Sequence, residues 1–205
     1  MLASLHEVAS QYNATNNTEA MKVCMTDDGQ LIVAICTPLM HRVHTLHKQS
    51  GELCFMDASS NMDRHGCKVF LILTHSSAGG LPVGVLITTS ETESTIKAAL
   101  DLYTSILPGD CFGGRGLAGP KVFITDDCTA EKNALKRVFP NAVLVLCIFH
   151  VLQATWRWLW SQSNNISKEQ RPNHLMHMKR MMYARSQKDL ESLYKDTLQD
   201  ATIQK

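Results

Sequence analysis

Residues 121–150 read KVFITDDCTAEKNALKRVFPNAVLVLCIFH, and their pattern decides what the chain can be. The apolar run KVFIT delivers two carboxylates, Asp126 and Asp127, to its end. An amphipathic segment follows and stops at Pro140, and a second apolar run, AVLVLCIF, ends in His150. This predicts strand, acidic tip, helix, strand. Carboxylates at the carboxyl end of a strand in an α/β unit lie where such folds bind ligands.

Upstream, ELCFMDAS reads as a short strand with Asp57 near its end, and NMDRHG, with Asp63, as a polar turn. CKVFLILTHSS and LPVGVLITTS are two β-rich runs separated by Ala78-Gly79-Gly80. Together they predict three consecutive antiparallel strands. ESTIKAALDLYTSILP predicts a helix capped by Ser90, favoured at its positive end by Glu91 and Glu93 and stopped by Pro108. The resulting order is three strands, helix, strand, helix, strand, helix, which is that of the ribonuclease H-like fold. In that fold the first and fourth strands run side by side, so Asp57 and Asp126 would meet. Two carboxylates held that close repel unless a cation neutralises them, and oxygen ligands of this kind suit Mg²⁺ or Mn²⁺. Two such ions, about 3.5–4 Å apart, could activate a water or 3′-hydroxyl and stabilise the leaving oxygen of a phosphodiester. The bland reading is that both aspartates simply cap turns.

Nearer the amino terminus, LASLHEVAS is an amphipathic fragment and QYNATNNTEA a surface connector. MKVCMTDDGQ predicts a strand closed by an Asp28-Gly29 turn, and LIVAICTPLMHRVHTLHKQSG a helix with Pro38 near its first turns. Along that helix His41, His44 and His47 recur every third residue. Each step drifts about 60° around the axis, so a solvated or groove-facing stripe is favoured over a metal site. The loop GDCFGGRGLAGP contains Gly114-Arg-Gly116-Leu-Ala-Gly119, which matches a dinucleotide fingerprint but follows a helix where the fingerprint follows a strand. A mobile surface loop is expected there. After His150, VLQATWRWLWSQ continues as a helix whose Trp156, Trp158 and Trp160 cannot all face one core. From Asn164 onward the chain is polar and helix-prone.

The chain has 205 residues, 44% hydrophobic and 19% charged, and a net charge of +1. A folded body is expected, and this near-neutrality argues neither for nor against nucleic acid. The odd set of Cys24, Cys36, Cys54, Cys67, Cys111, Cys128 and Cys147 lacks the paired spacing of a zinc site or a disulfide framework. Most should be small buried hydrophobes in a reducing compartment. Asn13, Asn16 and Asn165 head glycosylation sequons without a charged-then-apolar leader before them. No apolar stretch approaches a membrane span.

FITDDCTAEKNALKRVFPNAVLVLCIFHVLQ resembles the Mutator-like (MULE) transposase domain. That family's pattern is an apolar strand ending in Thr-Asp, an Ala-rich helix closing in Val-Phe-Pro, and a strand ending in Cys-x-x-His. FMDASSNMDR looks like its first catalytic strand, and LPVGVLITTSETEST like its third strand entering a helix through a Ser-Glu cluster. The resemblance implies an acidic-triad (DDE) core that cuts and transfers DNA strands with Mg²⁺ or Mn²⁺. Asp57 would be the first acid and Asp126 the second, with Asp127 at a variable position and Asp63 a turn residue. The third acid, a Glu, follows a helical insertion after Cys-x-x-His. Glu169 and Glu191 lie in that region, Glu191 in KDLESLYKD being the better placed, or the residue lies beyond Lys205. Cys147 and His150 match the family signature, as zinc ligands or as structural or orienting groups. The implied partners are DNA, both transposon ends and target, and further copies of the chain, with no membrane, in the nucleus.

The expected organisation is α/β: a helical lead-in over 1–50, a ribonuclease H-like core over 51–162 with a mixed sheet, and the start of a helical insertion over 163–205. The family's zinc-binding recognition modules have no counterpart in these residues, which suggests a piece of a longer protein or an incomplete copy. The first rival reading is a domesticated or degenerate transposase remnant that binds DNA or protein without catalysis. The second is a doubly wound receiver-like or nucleotide-binding domain. That one needs an all-parallel sheet, against which the helix-free run of strands at 52–90 counts.

Overall fold

A computed structural model describes residues 2–60 and 65–199, so Asp63 lies outside the described residues. The chain divides into two compact units, Met1–Val145 and Leu146–Lys205. The first contains helix α1 (Leu2–Asn16), strands β1 (Met21–Met25) and β2 (Leu31–Ile35), helix α2 (Pro38–Leu46) and the turn α3 (Gln49–Glu52). Strands β3 (Leu53–Ser60), β4 (Lys68–Ser76) and β5 (Gly79–Thr88) follow, then α4 (Glu93–Thr104) and the turn α5 (Cys111–Gly114). Strand β6 (Val122–Thr125) and α6 (Thr129–Val138) come next, and the border between the units falls at the last residue of β7 (Val143–Leu146).

The seven strands form one mixed sheet in the order β1-β2-β5-β4-β3-β6-β7. The meander expected over 52–90 is present: β3 pairs antiparallel with β4, and β4 with β5. Strand β6 then lies parallel to β3 on its other side, with Leu53 opposite Val122, Cys54 opposite Phe123 and Phe55 opposite Ile124. Residues 31–35 depart from expectation, because the predicted helix there is strand β2, paired with β1 and β5. The run LIVAI is short and rich in β-branched residues, which favour a pleated, buried strand over a helix. The helix begins only at Pro38, preset for a first helical turn, with the Thr37 side chain accepting the Met40 N–H at 3.3 Å. At the amino terminus, residues 11–16 of the expected connector are instead the end of α1, and residues 17–20 make the link to β1. Asn13 ties that helix to β1 by accepting the Ala20 and Met21 N–H groups and donating to the Met21 carbonyl, each at 2.9 Å.

Alternate residues of the central strands build the core: Ile32, Ala34, Cys54, Met56, Phe70, Ile72, Leu86 and Phe123 are buried. Helix α4 packs Ile96, Ala99, Leu100 and Tyr103 into the same core, and α6 adds Ala134 and Leu135, followed by Phe139. Gly84 of β5 admits this packing, since a Cβ there would stand 2.5 Å from the Tyr103 ring. The cap of α4 is Thr92, whose side chain accepts the Thr95 N–H at 3.3 Å, in place of the predicted Ser90.

The histidine stripe does not face solvent as a whole. His44 is fully buried, with Nε2 2.9 Å from the Tyr103 hydroxyl and 3.0 Å from the Val83 carbonyl, while Nδ1 accepts the Phe112 N–H at 3.2 Å. The glycine-rich loop is likewise more than a surface excursion: Cys111 and Phe112 are fully buried, and α5 packs against α2 and α3.

The second unit contains α7 (Ile148–Trp160), a 3-10 turn (Gln162–Asn164), α8 (Arg171–Met182) and α9 (Gln187–Gln199). Trp156, Trp158 and Trp160 are all exposed, and the Arg171 guanidinium lies 4.3 Å over the Trp160 ring. A groove of about 490 Å³ runs between these helices, lined by Trp158, Leu159, His177, Met178 and Met181 among others. Among the described residues, no helix is long and apolar enough to cross a membrane.

Candidate functional site

The parallel pairing of β3 with β6 fixes the geometry of the acidic pair. Two residues beyond the Phe55–Ile124 partners come Asp57, within β3, and Asp126, just past the end of β6. Residues far apart in sequence are thereby brought to one end of the sheet. Asp57 sits opposite Leu71 of β4 and is exposed, alternating with the buried Cys54 and Met56 of the other face. Asp126 follows the last residue of β6 and is half-buried. Its Oδ1 accepts the Cys128 N–H at 2.9 Å, a local turn that leads the chain into α6.

Asp127 has a different environment. Its side chain is 80% exposed and forms an ion pair with Lys132 one turn along α6. The two adjacent carboxylates of the sequence are thus distinct, one at the sheet end and one in solvent.

A further carboxylate, buried on α6, was missed by sequence reasoning. Glu131 lies in the first turn of α6, is fully buried, and neither Oε1 nor Oε2 has a hydrogen-bond partner among the described residues. Burial first, then repulsion from Asp126, Asp57 and Glu91, pushes its carboxyl up to about 8. The signal was available in the spacing. Glu131 precedes the buried Ala134 and Leu135 by three and four residues, which places it on the apolar stripe of the helix. Glu91, in the turn between β5 and α4, pairs with Lys68 at 3.4 Å. Glu93 of α4 joins α6 through Arg137 at 2.7 Å and accepts from Asn133 at 2.8 Å.

The remaining candidates belong to the second unit. Glu191 is exposed on α9 and accepts from Gln187 at 3.0 Å, and Glu169 is exposed before α8. Cys147 caps α7 without a side-chain capping bond, and His150 follows in its first turn. Among the described residues, no three His, Cys, Asp or Glu side chains stand close enough together to hold a metal ion.

Residues 53–154 match the family model of the MULE transposase domain. The chain carries a MULE transposase domain. The match starts at the first residue of β3 and ends inside α7, so the MULE domain takes in both aspartates, Glu131, Cys147 and His150. It leaves out α1, β1, β2 and α2, although β2 pairs with a strand of the domain. No curated protein matches the chain.

Proposed function

We propose that this MULE domain is the catalytic domain of a Mutator-like DNA transposase, cutting and transferring DNA strands with a divalent cation held by Asp57 and Asp126. The observation that carries this reading is the parallel pairing of β3 with β6 up to Phe55–Ile124, a register that, continued two residues further along both chains, leads to Asp57 and Asp126. The order β5-β4-β3-β6-β7, with antiparallel pairing through β3 and a parallel step to β6, supports a ribonuclease H-like arrangement of those strands.

The residues present fit Mg²⁺ or Mn²⁺. The donors that Asp57 and Asp126 offer are carboxylate oxygens, the hard ligands such ions take. Asp57 and Asp126 would hold the ion. A bound cation would supply Lewis-acid stabilisation of the leaving oxygen and a more acidic water or hydroxyl nucleophile. Asp126 is oriented for its role by the Cys128 amide, which fixes one of its oxygens. Glu191 on α9 is the third acid of this reading, at the place the family resemblance gives. DNA, as transposon ends and target, is the partner, further copies of the chain complete the assembly, and the nucleus is where it works.

The test is metal-dependent cleavage of transposon-end DNA by the full-length protein. Asp57→Asn and Asp126→Asn should each abolish cleavage, by roughly a thousandfold or more given the several kcal/mol a metal centre supplies, while circular dichroism stays unchanged. Undiminished cleavage by both variants refutes the assignment.

A further inference from the structure

Helix α7 carries its three tryptophans on two faces. Trp156 and Trp160 are four residues apart and share one face. Trp158, two residues from each, lies on the other and lines the apolar groove with Leu159, Met178 and Met181. The Trp156 and Trp160 rings stand side by side, 5.5 Å between centroids and tilted by 51°. They do not line the groove, and they stay 41% and 49% exposed.

The chemistry beside this pair is cationic. The Arg171 guanidinium lies 4.3 Å over the Trp160 ring, and its Nε and Nη1 are buried without a hydrogen-bond partner among the described residues. The contact with the ring offsets part of the cost of that burial, but charged N–H groups out of water call for an oxygen acceptor. From Arg157 to Arg185 the chain carries six lysines and arginines against one acid, Glu169, although its net charge is only +1. An apolar peptide or a lipid surface would use the indoles and leave this charge unmatched, and an acidic peptide would match the charge and leave the ring faces bare. Flat bases joined by phosphates match both. In a duplex the base faces are stacked on one another, so a base must be unpaired to reach an indole.

We propose that Trp156, Trp160 and Arg171 form a binding site for unpaired DNA on the helical unit, with bases stacking on the indole faces and a backbone phosphate supplying the acceptor and the negative charge that Arg171 lacks. The choice of DNA rests on the strand-cutting reading above, a reaction that frees strand ends; the stacking site itself rests on the ring and guanidinium geometry. It is a site separate in sequence from Asp57 and Asp126 and needs no metal.

The experiment is fluorescence anisotropy of an end-labelled oligothymidylate of about ten nucleotides, within the span such platforms cover, titrated with the whole chain in EDTA. Wild type should bind it at least about tenfold more tightly than a duplex of the same length, since stacking on a free base is worth at least that much for two rings. Trp156→Leu and Trp160→Leu should each weaken binding about five- to a hundredfold. Trp160→Tyr, which keeps a ring, should recover most of the loss, and Arg171→Gln should weaken binding and flatten its salt dependence. Trp158→Leu, on the groove face, should bind as wild type does, which separates loss of the site from loss of the fold. The site is overturned if wild type does not bind, if the duplex or polyaspartate competes as well as the oligothymidylate, if the Trp156 and Trp160 variants keep wild-type affinity, or if Trp158→Leu weakens binding as much as they do. Tighter binding of oligouridylate overturns the assignment to DNA. Because metal is absent, failure here with metal-dependent cleavage intact leaves the aspartate reading standing, and undiminished cleavage by the Asp57 and Asp126 variants leaves this site standing.

Discussion

His44 shows how one side chain can set the pH behaviour of a core. It is enclosed by Tyr103, Val83 and Phe112 and accepts a backbone N–H at Nδ1, so the neutral imidazole with its proton on Nε2 is the form that fits. Burial pulls it from 6.5 down to about 4, against the Val83 carbonyl. Between those values the unfolded chain binds a proton that the folded chain does not. Stability should therefore fall as pH drops from 6.5 to 4, by at most about 3 kcal/mol from this group. Urea denaturation at a series of pH values checks it, and His44→Gln should lose that part of the slope. At this scale the sequence was legible unevenly. Asp57 and Asp126 stood out because a carboxylate ending an apolar strand is conspicuous. Glu131 did not, because a glutamate in a polar-looking helix such as TAEKNALKRV reads as solvated unless its spacing to Ala134 and Leu135 is followed. His44 was hidden in the same way, its neighbours in the triplet repeat suggesting a common solvent-facing stripe.

The elements were legible where period and punctuation agreed. Strands β3, β4 and β5, helix α4 and the β6-α6-β7 unit carry strong β runs or amphipathic spacing bounded by Gly, Pro or Asp. They failed where a short apolar run had no polar residue to reveal its period, and LIVAI, read as helix, is the case in point. Pairing with β1 and β5 decided it, and such long-range contacts leave no local trace. The α4-on-sheet contact depends on a residue with no side chain. Gly84→Ala would drive a methyl group to 2.5 Å from the Tyr103 ring, and Tyr103 is pinned there by donating to the Val83 carbonyl at 2.9 Å. The expected cost is about 1–3 kcal/mol, the range for overpacking a close-packed core. Chemical denaturation measures it, and a change below about 0.5 kcal/mol would mean that α4 moves aside freely.

At the scale of the whole molecule, the family match and the folded body have different borders. The MULE match begins at residue 53, whereas β1 and β2 complete the sheet on the β5 side, and α2 sends His44 into the core beside Tyr103. The sequence could place the family stretch, since its motifs are local. It could not show that the preceding segment shares the same core, since that sharing is written only in pairings such as Ala34 with Leu86.

A consequence follows for anyone who cuts the chain. A fragment of residues 53–154 would lose β2 and leave β5 as a raw sheet border, its amide and carbonyl row open along an apolar strand. Such borders recruit other strands. That fragment should precipitate or run as large aggregates on size-exclusion chromatography, whereas a version restored to residue 2 at the same concentration should not. The two strands outside the family border are thus a built-in guard against self-association, and any copy of the domain that lost them would need another edge cover to stay in solution.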